Sequence, residues 1–513
     1  NGANTSFVNR IEQAAQDTAE LICDPVVAAL AQVPAANPRI VEPPQLFGAA
    51  RRNSAGLNLA DGEGLAQLAA DMDRALETRP EVRAIIGGEP QPGRPVPSVN
   101  PADPARVIGM VEAGDARLCR RAVDAAVEAF PAWDQAGAEV RAAVLLRAAD
   151  LFESHRARLM AVCVAEAGKT LPAALAEVRE AVDFLRYYAA EAVRLMALPQ
   201  RMPGPTGESN ELSLGGRGPF VCISPWNFPL AIFTGQVAAA LAAGNTVIAK
   251  PAEQTSLTAG AAIELLIEAG VPAGVLNLVP GDGSVVGAAL VADERVAGVA
   301  FTGSTVTAQR INRSLAARDG PIAVLVAETG GQNAMIVDST ALPEQVVRDA
   351  VVSAFDSAGQ RCSALRVLCL QEDIADRVVE LLVGSMATLS VGDPARLDTD
   401  VGPVIDAAAL ESLVRHREHL RQAGALRYEC VVPDGLPAGY FMGPVLAEIP
   451  SISLIKEENF GPILHVVRYR RGELDSLLEA IGETGYGLTL GLQSRIERRT
   501  ARLAAAAPAG NVY

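Results

Sequence analysis

The stretch "PFVCISPWNFPLAIFTGQVAAALAAGNTVIAK", Pro219–Lys250, decides the fold. "PFVCIS" is a short β-type run, "LAIFTGQVAAALAAG" reads as a helix closing on a glycine, and "TVIAK" is a second β-type run. The alternation continues with "LTAGAAIELLIEAG", "GVLNLV", "SVVGAALVAD", "VAGVAF" and "STVTAQRINRSLAAR". The β-type runs are apolar throughout rather than at every second residue, the pattern of strands covered on both faces. Four successive βα units therefore predict a parallel sheet between helices. Such sheets bind ligands beyond the carboxyl ends of their strands, which places "SPWN", "KPAE" and "FTGS" on one rim.

Around this centre the chain is long, at 513 residues, and predicts two or three domains. Half of it is hydrophobic but only 4% is aromatic, so Ala, Val and Leu must fill a large core. A net charge of −16 argues against broad binding to nucleic acid or anionic membranes and favours small-molecule ligands. The 7 cysteines are scattered, with no CxxC, which fits a reducing cytosol better than a disulfide framework or a zinc ribbon. No apolar run reaches the ~18 residues of a membrane helix. The start shows neither a signal peptide nor an initiator Met, so a piece of a longer protein is expected.

Upstream, "PPQLFGAARRNSAGLNLADGEG" reads as loop, followed by a helix near Leu65–Leu76, and "GGEPQPGRPVPSVNPADP" reads as a linker. In "RAAVLLRAADLFESHRARL", Val144, Leu145, Ala148, Leu151 and Phe152 line one helical face. A second α/β region begins at Pro321, with a helix near Glu344–Ser357. His416 and His419 share a helical face in "RHREHL"; the surrounding charges favour a solvated face over a metal pair.

Several segments carry potential chemistry. In "DSAGQRCSALRV", Asp356–Val367, Cys362 follows small, polar, flexible residues. The commonest fate of a cysteine is burial, but a thiol near helix N-termini and beside Arg361 can ionise without a histidine. "ETGGQN" places Glu328 at the end of an apolar strand, where a raised pKa would suit a general base, against the plain reading of a rim carboxylate capping a turn. In "SPWNFP", Asn227 sits between prolines and is either an oxyanion donor or a turn asparagine. Lys250 and Glu253 in "IAKPAEQ" are either ligands of a nucleotide ribose or a surface ion pair. Gly303 and Ser304 open a helix in "AFTGSTVTAQR", giving either a pyrophosphate cradle or an ordinary N-cap. "VPGDGSVVG" has one residue too many for the dinucleotide fingerprint and reads as a strand-to-helix turn.

Taken in order, "SPWNFP", "GNTVIAKPAEQT", "FTGST", "ETGGQNAMIV", "AGQRCSA" and "EENFGPIL" (Glu457–Leu464) resemble the motifs of the aldehyde dehydrogenase superfamily from about Val96 to the last residue. "ETGGQN" and "QRCSALR" look like the Δ1-pyrroline-5-carboxylate (L-glutamate γ-semialdehyde) dehydrogenases. "GANTSFVNRI" followed by "CDPV" resembles the junction after the proline dehydrogenase domain of bifunctional bacterial proline utilization proteins.

The resemblance implies an α/β aldehyde dehydrogenase fold. Residues 96–197 and 217–327 would form a Rossmann-like NAD-binding domain, 198–216 a small oligomerisation flap, and 328–513 an α/β catalytic domain. Residues 1–95 would be an arm after a flavin (FAD)-dependent proline dehydrogenase domain in the same natural chain. After "AGNVY" the family continues with a substrate-anchor loop and an oligomerisation tail, so truncation at the C-terminus is expected, as is a homo-oligomer. The resemblance makes Cys362 the nucleophile, Glu328 the general base, and Asn227 with the Cys362 N–H the oxyanion hole. Ser224, Pro225, Trp226, Lys250, Glu253, Gly303, Ser304, Glu458 and Phe460 would bind NAD; Ser363, Arg361 and Glu180 would face the substrate; no metal is implied. The implied activity is NAD-dependent oxidation of the semialdehyde to L-glutamate in a cytoplasmic enzyme of proline catabolism. Another semialdehyde dehydrogenase of this fold, including a coenzyme-A-acylating one, is the nearest alternative, and a non-catalytic nucleotide-binding module the alternative from another class.

Overall fold

The computed structural model describes residues 22, 24–31, 37 and 39–513, so Cys23 lies outside the described residues. The chain divides into two compact units, 1–53 and 54–513. In the first, a helix at Pro25–Ala31 is followed by a 3₁₀ turn at Pro43–Gln45, and the Arg51 guanidinium stacks over the Phe47 ring.

The second unit contains two seven-stranded sheets. In the first, Val324–Glu328, Gly298–Thr302, Pro219–Ile223, Thr246–Lys250 and Leu276–Leu278 run parallel in that spatial order. The strand runs read from the sequence thus form a doubly covered parallel sheet. Val221, Val247, Ile248 and Val299 are fully buried. Each such side chain contributes about 1.5–3 kcal/mol relative to exposure. Gly298 lies where a Cβ would strike the Phe220 ring on the next strand.

The order has a consequence for function. The parallel part of the sheet begins at Pro219–Ile223 and winds away through Thr246–Lys250 and Leu276–Leu278. The chain then returns to place Gly298–Thr302 on the other side of the first strand. The crevice between these two strand ends is the topological switch point, where open α/β sheets bind ligands.

Ala84–Ile86 and Glu89–Gln91 extend this sheet in antiparallel fashion, and Arg94–Asn100 pairs with Asp103–Ala113. The segment read as a linker is therefore largely strand. Pro90 sits on the outermost strand of its sheet and Pro95 and Pro97 on the outer strand of another, where a missing N–H costs no ladder bond.

The second sheet carries the nucleophile segment. Leu426–Glu429 pairs antiparallel with Val445–Glu448; Ile463–Tyr469, Leu365–Gln371, Asn333–Val337, Thr489–Gln493 and Asn511–Val512 follow in parallel. Leu365–Gln371 is buried along its whole length. A two-stranded ribbon, Gln200–Met202 with Asn210–Leu212, stands apart from both sheets, with Leu198, Met202, Leu212 and Leu214 exposed around it. Among the described residues no helix is long and apolar enough to cross a membrane.

The His416 face is not solvated as expected. His416 Nε2 lies 2.9 Å from Nε2 of the buried His465, whose Nδ1 donates to the Arg366 carbonyl at 3.1 Å. Burial holds both rings well below the ordinary histidine value, so the pair is neutral and shares one proton across the Nε2 atoms. The described residues contain no group of three or more His, Cys, Asp or Glu placed to hold a metal.

Candidate active site

The loop after Pro219–Ile223 bends at residues 226–228, between Pro225 and Pro229, and a helix resumes at Ala231. Asn227, only 7% exposed, donates from Nδ2 to the Gln360 carbonyl at 3.0 Å. That uses one of the two amide hydrogens and leaves the other for a ligand.

Gln360 belongs to the loop that presents the thiol. The helix Pro343–Phe355 ends in a 3₁₀ turn, Asp356–Gly359, in which Ser357 (φ 54°), Ala358 (φ 53°) and Gly359 (φ 64°) are all left-handed. A Cβ on Gly359 would strike the Gly461 carbonyl, so only glycine fits there. Asn333 Nδ2 then fixes Cys362 from the other side, donating to its carbonyl at 2.7 Å and to that of Ala364 at 2.9 Å.

Cys362 is half-buried, whereas Cys119, Cys163, Cys222, Cys369 and Cys430 are buried. Burial pushes the thiols of Cys119, Cys222 and Cys369 up to about 12 and that of Cys430 up to about 11. Cys362 lines a cavity of about 370 Å³ with Asn227, Trp226, Gly303, Ser304, Glu458 and Phe460. This cavity opens at the switch point. Trp226 and Phe460 pack edge to face across it, ring centres 5.5 Å apart.

The structure corrects the expected electrostatics of the thiol. Arg361 pairs with Asp356, so its charge is spent there. The Cys362 thiol is instead raised above its ordinary value, first by burial, then by the charges of Glu458 and Glu328. Alkylation of Cys362 by iodoacetamide in the chain without cofactor is therefore expected to keep accelerating as pH rises past about 8.5, the ordinary thiol value. A plateau by about pH 7.5 would mean a preformed thiolate and contradict this.

Glu458 is the acid that lines the same cavity. Its Oε1 accepts from the Gly331 N–H at 3.1 Å and lies 3.7 Å from the guanidinium of Arg366. Burial raises the Glu458 carboxyl and Arg366 opposes the shift. Arg366, 1% exposed, also donates to the carbonyls of Gly461 and Arg361, tying the Glu458 segment to the nucleophile loop. Sequence reasoning missed Arg366. An arginine inside the apolar run "SALRVLCL" was the signal available.

Glu328 is placed differently from expectation. Val324–Glu328 is the outermost strand of its sheet, and Glu328 is exposed rather than set in apolar surroundings. It lines an adjoining hollow of about 450 Å³, not the Cys362 cavity; the two share Thr305, Thr329, Gly330 and Tyr486.

A third cavity, about 480 Å³, lies along the same helix, Thr305–Ala316. Lys250, Glu253, Asp282, Gly283 and Arg310 line it. Lys250 is 4% exposed and Glu253 is exposed, so the pair (Nζ–Oε1 3.5 Å) joins a buried ammonium to a surface carboxylate. Glu253 Oε1 also accepts from the Gly283 N–H at 2.5 Å. In "VPGDGSVVG", Gly283–Gly287 is a short π-helix rather than a simple turn; Asp282 caps it and it walls this cavity. Ser304 caps its helix by accepting from the Thr307 N–H at 3.3 Å, and both Gly303 and Ser304 face the Cys362 cavity.

Of the remaining residues singled out in the sequence, Ser224 is buried, its N–H donating to the Lys250 carbonyl, and lines none of the three cavities. Ser363 and Arg361 flank the thiol, half-buried, without lining its cavity. The Glu180 carboxyl is raised by desolvation and by Glu177, while Lys169 and Arg361 pull it down.

Residues 89–513 match the aldehyde dehydrogenase family, and the chain belongs to it. It is 49% identical to the bifunctional protein PutA of Klebsiella aerogenes, over 100% of this chain and 39% of that protein. It is 38% identical to the 1-pyrroline-5-carboxylate dehydrogenase of Geobacillus thermodenitrificans, over 84% of each. Among solved structures, the 1-pyrroline-5-carboxylate dehydrogenase from Thermus with bound NAD superposes with a TM-score of 0.85, at 35% identity over 90% of both chains. The chain thus spans well under half the length of the bifunctional relative.

Proposed function

We propose that the chain oxidises L-glutamate γ-semialdehyde to L-glutamate with NAD⁺, using Cys362 as nucleophile. One observation carries the reading: the only described cysteine that reaches solvent lies at the switch-point cavity, beside a free amide hydrogen of Asn227.

The Cys362 sulfur, once deprotonated, adds to the aldehyde carbon, and the carbonyl oxygen becomes an alkoxide. Asn227 Nδ2 and the Cys362 N–H donate to that oxygen. The carbon then loses hydride and becomes a thioester carbon. Glu328, swinging from its hollow past Thr329 and Gly330, takes a proton from water, which attacks this carbon. The C–S bond breaks, releasing carboxylate and restoring the thiol. Glu180 would meet the substrate ammonium, with Ser363 and Arg361 beside the thiol.

The residues present fit a nicotinamide dinucleotide. A carboxylate has about four acceptor sites, and Lys250 and the Gly283 N–H occupy two on Glu253, leaving capacity for ribose hydroxyls. Gly303 and Ser304 at the start of a 12-residue helix suit a pyrophosphate. Glu458 and Phe460 border the thiol for the nicotinamide end, with Trp226 and Pro225 opposite. When bound, NAD⁺ would accept the hydride.

A 2′-phosphate would meet the Glu253 carboxylate, whereas a 2′-hydroxyl can donate to it. The kcat/KM for NAD⁺ is therefore expected to exceed that for NADP⁺ by at least tenfold, and equal values would contradict the assignment of Glu253.

A steady-state screen of C3–C6 aldehydes, with and without a carboxylate, tests the substrate class. Glutamate semialdehyde should be preferred, and absence of NADH from every aldehyde would revive the non-catalytic reading. Thioester product in the presence of coenzyme A would support the acylating one. In its natural context we place the chain after a flavin-dependent proline dehydrogenase supplying this substrate, in a homo-oligomer.

A further inference from the structure

We propose that the buried pair Lys169–Glu177 is a positioning device. It sets the nucleophile loop against the oxyanion loop. Lys169 and Glu177 are 4% and 2% exposed, with Nζ and Oε1 3.1 Å apart. Neither touches the Cys362 cavity, yet between them they engage both loops that form it.

Lys169 Nζ donates to Ser357 Oγ at 3.4 Å, in the turn leading to Cys362. It also lies 4.6 Å from the ring centre of Phe228, the residue after Asn227. Glu177 Oε2 accepts from the N–H groups of Leu230 and Ala231, at 3.2 and 2.9 Å, where the oxyanion loop enters its helix. One lysine–carboxylate pair thus bridges two segments more than a hundred residues apart in sequence.

The turn it holds needs holding. Ser357 and Ala358 are the only non-glycine residues with positive φ among the described residues. Side chains adopt that conformation in succession only where the surroundings over-determine it, and such strain clusters where geometry is functional. The Ser357 hydroxyl is the handle by which Lys169 fixes the first of them. Releasing it would let the turn relax, and the thiol would shift relative to the Asn227 amide. A displacement of about 1 Å can cost on the order of 10²-fold in rate.

This inference rests on Cys362 and Asn227 working together as proposed, so the test includes a readout that needs no aldehyde. Lys169→Met leaves Glu177 buried without its cation, which by itself destabilises. The double variant Lys169→Met/Glu177→Gln removes both charges and is expected to recover much of the melting temperature. In the double variant the NADH burst should still fall at least tenfold, and the rate of Cys362 alkylation by iodoacetamide should change at least threefold, while NAD⁺ affinity stays as in the wild type. Lys169→Arg should restore part of the burst. Ser357→Ala, which removes only the handle, should slow the burst at least threefold without altering melting temperature or NAD⁺ affinity. A wild-type burst and alkylation rate in the double variant, or a wild-type burst in Ser357→Ala, would overturn the proposal and leave the pair a packing element. Absence of aldehyde oxidation by the wild-type chain, with alkylation still dependent on Lys169, would instead count against the proposed function alone.

Discussion

Replacing Cys362 by serine is expected to lower kcat/KM for aldehyde oxidation by more than about 10³-fold, roughly 4 kcal/mol of transition-state stabilisation, with NAD⁺ binding unchanged. A hydroxyl is far harder to ionise than a thiol, whose reference pKa is about 8.5. No histidine lines the cavity to take its proton. The other described cysteines cannot substitute, because each is buried with its thiol pushed further from ionisation. Stopped-flow measurement of NADH formation in the serine variant, beside cofactor titration by fluorescence, checks both halves. Activity within tenfold of the wild type would remove Cys362 from the mechanism.

The second large effect is expected from Glu328→Gln, and it should divide the reaction in two. Hydride departure precedes attack by water, so a burst of NADH should survive while steady-state turnover falls by about 10²–10⁴-fold. The position of Glu328 sharpens this. It sits on the outermost strand and lines a hollow that adjoins the thiol cavity. Its negative charge also helps raise the Cys362 thiol. Removing that charge should shift the pH profile of Cys362 alkylation towards lower pH. Loss of burst and steady state together would mean that Glu328 acts earlier, by taking the proton from Cys362.

Particular residues show how far a sequence carries such an argument. The strands from Pro219 to Thr302 were legible because both their faces are covered, which demands unbroken apolar runs. Residues 87–104 were not, because proline dominates a local reading while edge strands tolerate it. The same edge effect misplaced Glu328. An apolar strand suggested a dry carboxylate, but Val326 on that strand is 56% exposed. Arg361 misled in another way. It neighbours Cys362 in sequence, yet its charge goes to Asp356, while the charges that act on the thiol come from Glu458 and Glu328. Lys169, Glu177 and Arg366 were invisible because the segments they tie together, at Ser357, Leu230 and Gly461, lie far along the chain. Each nevertheless left a trace as a charge in an otherwise apolar segment.

On its way to carboxylate the aldehyde carbon should become covalently bound to Cys362. Mass spectrometry of peptides from Glu328→Gln, quenched after one burst with glutamate semialdehyde and NAD⁺, tests this most directly. A glutamyl thioester is expected on the peptide containing Cys362, in proportion to the NADH released. NADH released with Cys362 unmodified, or an adduct on another residue, would contradict it.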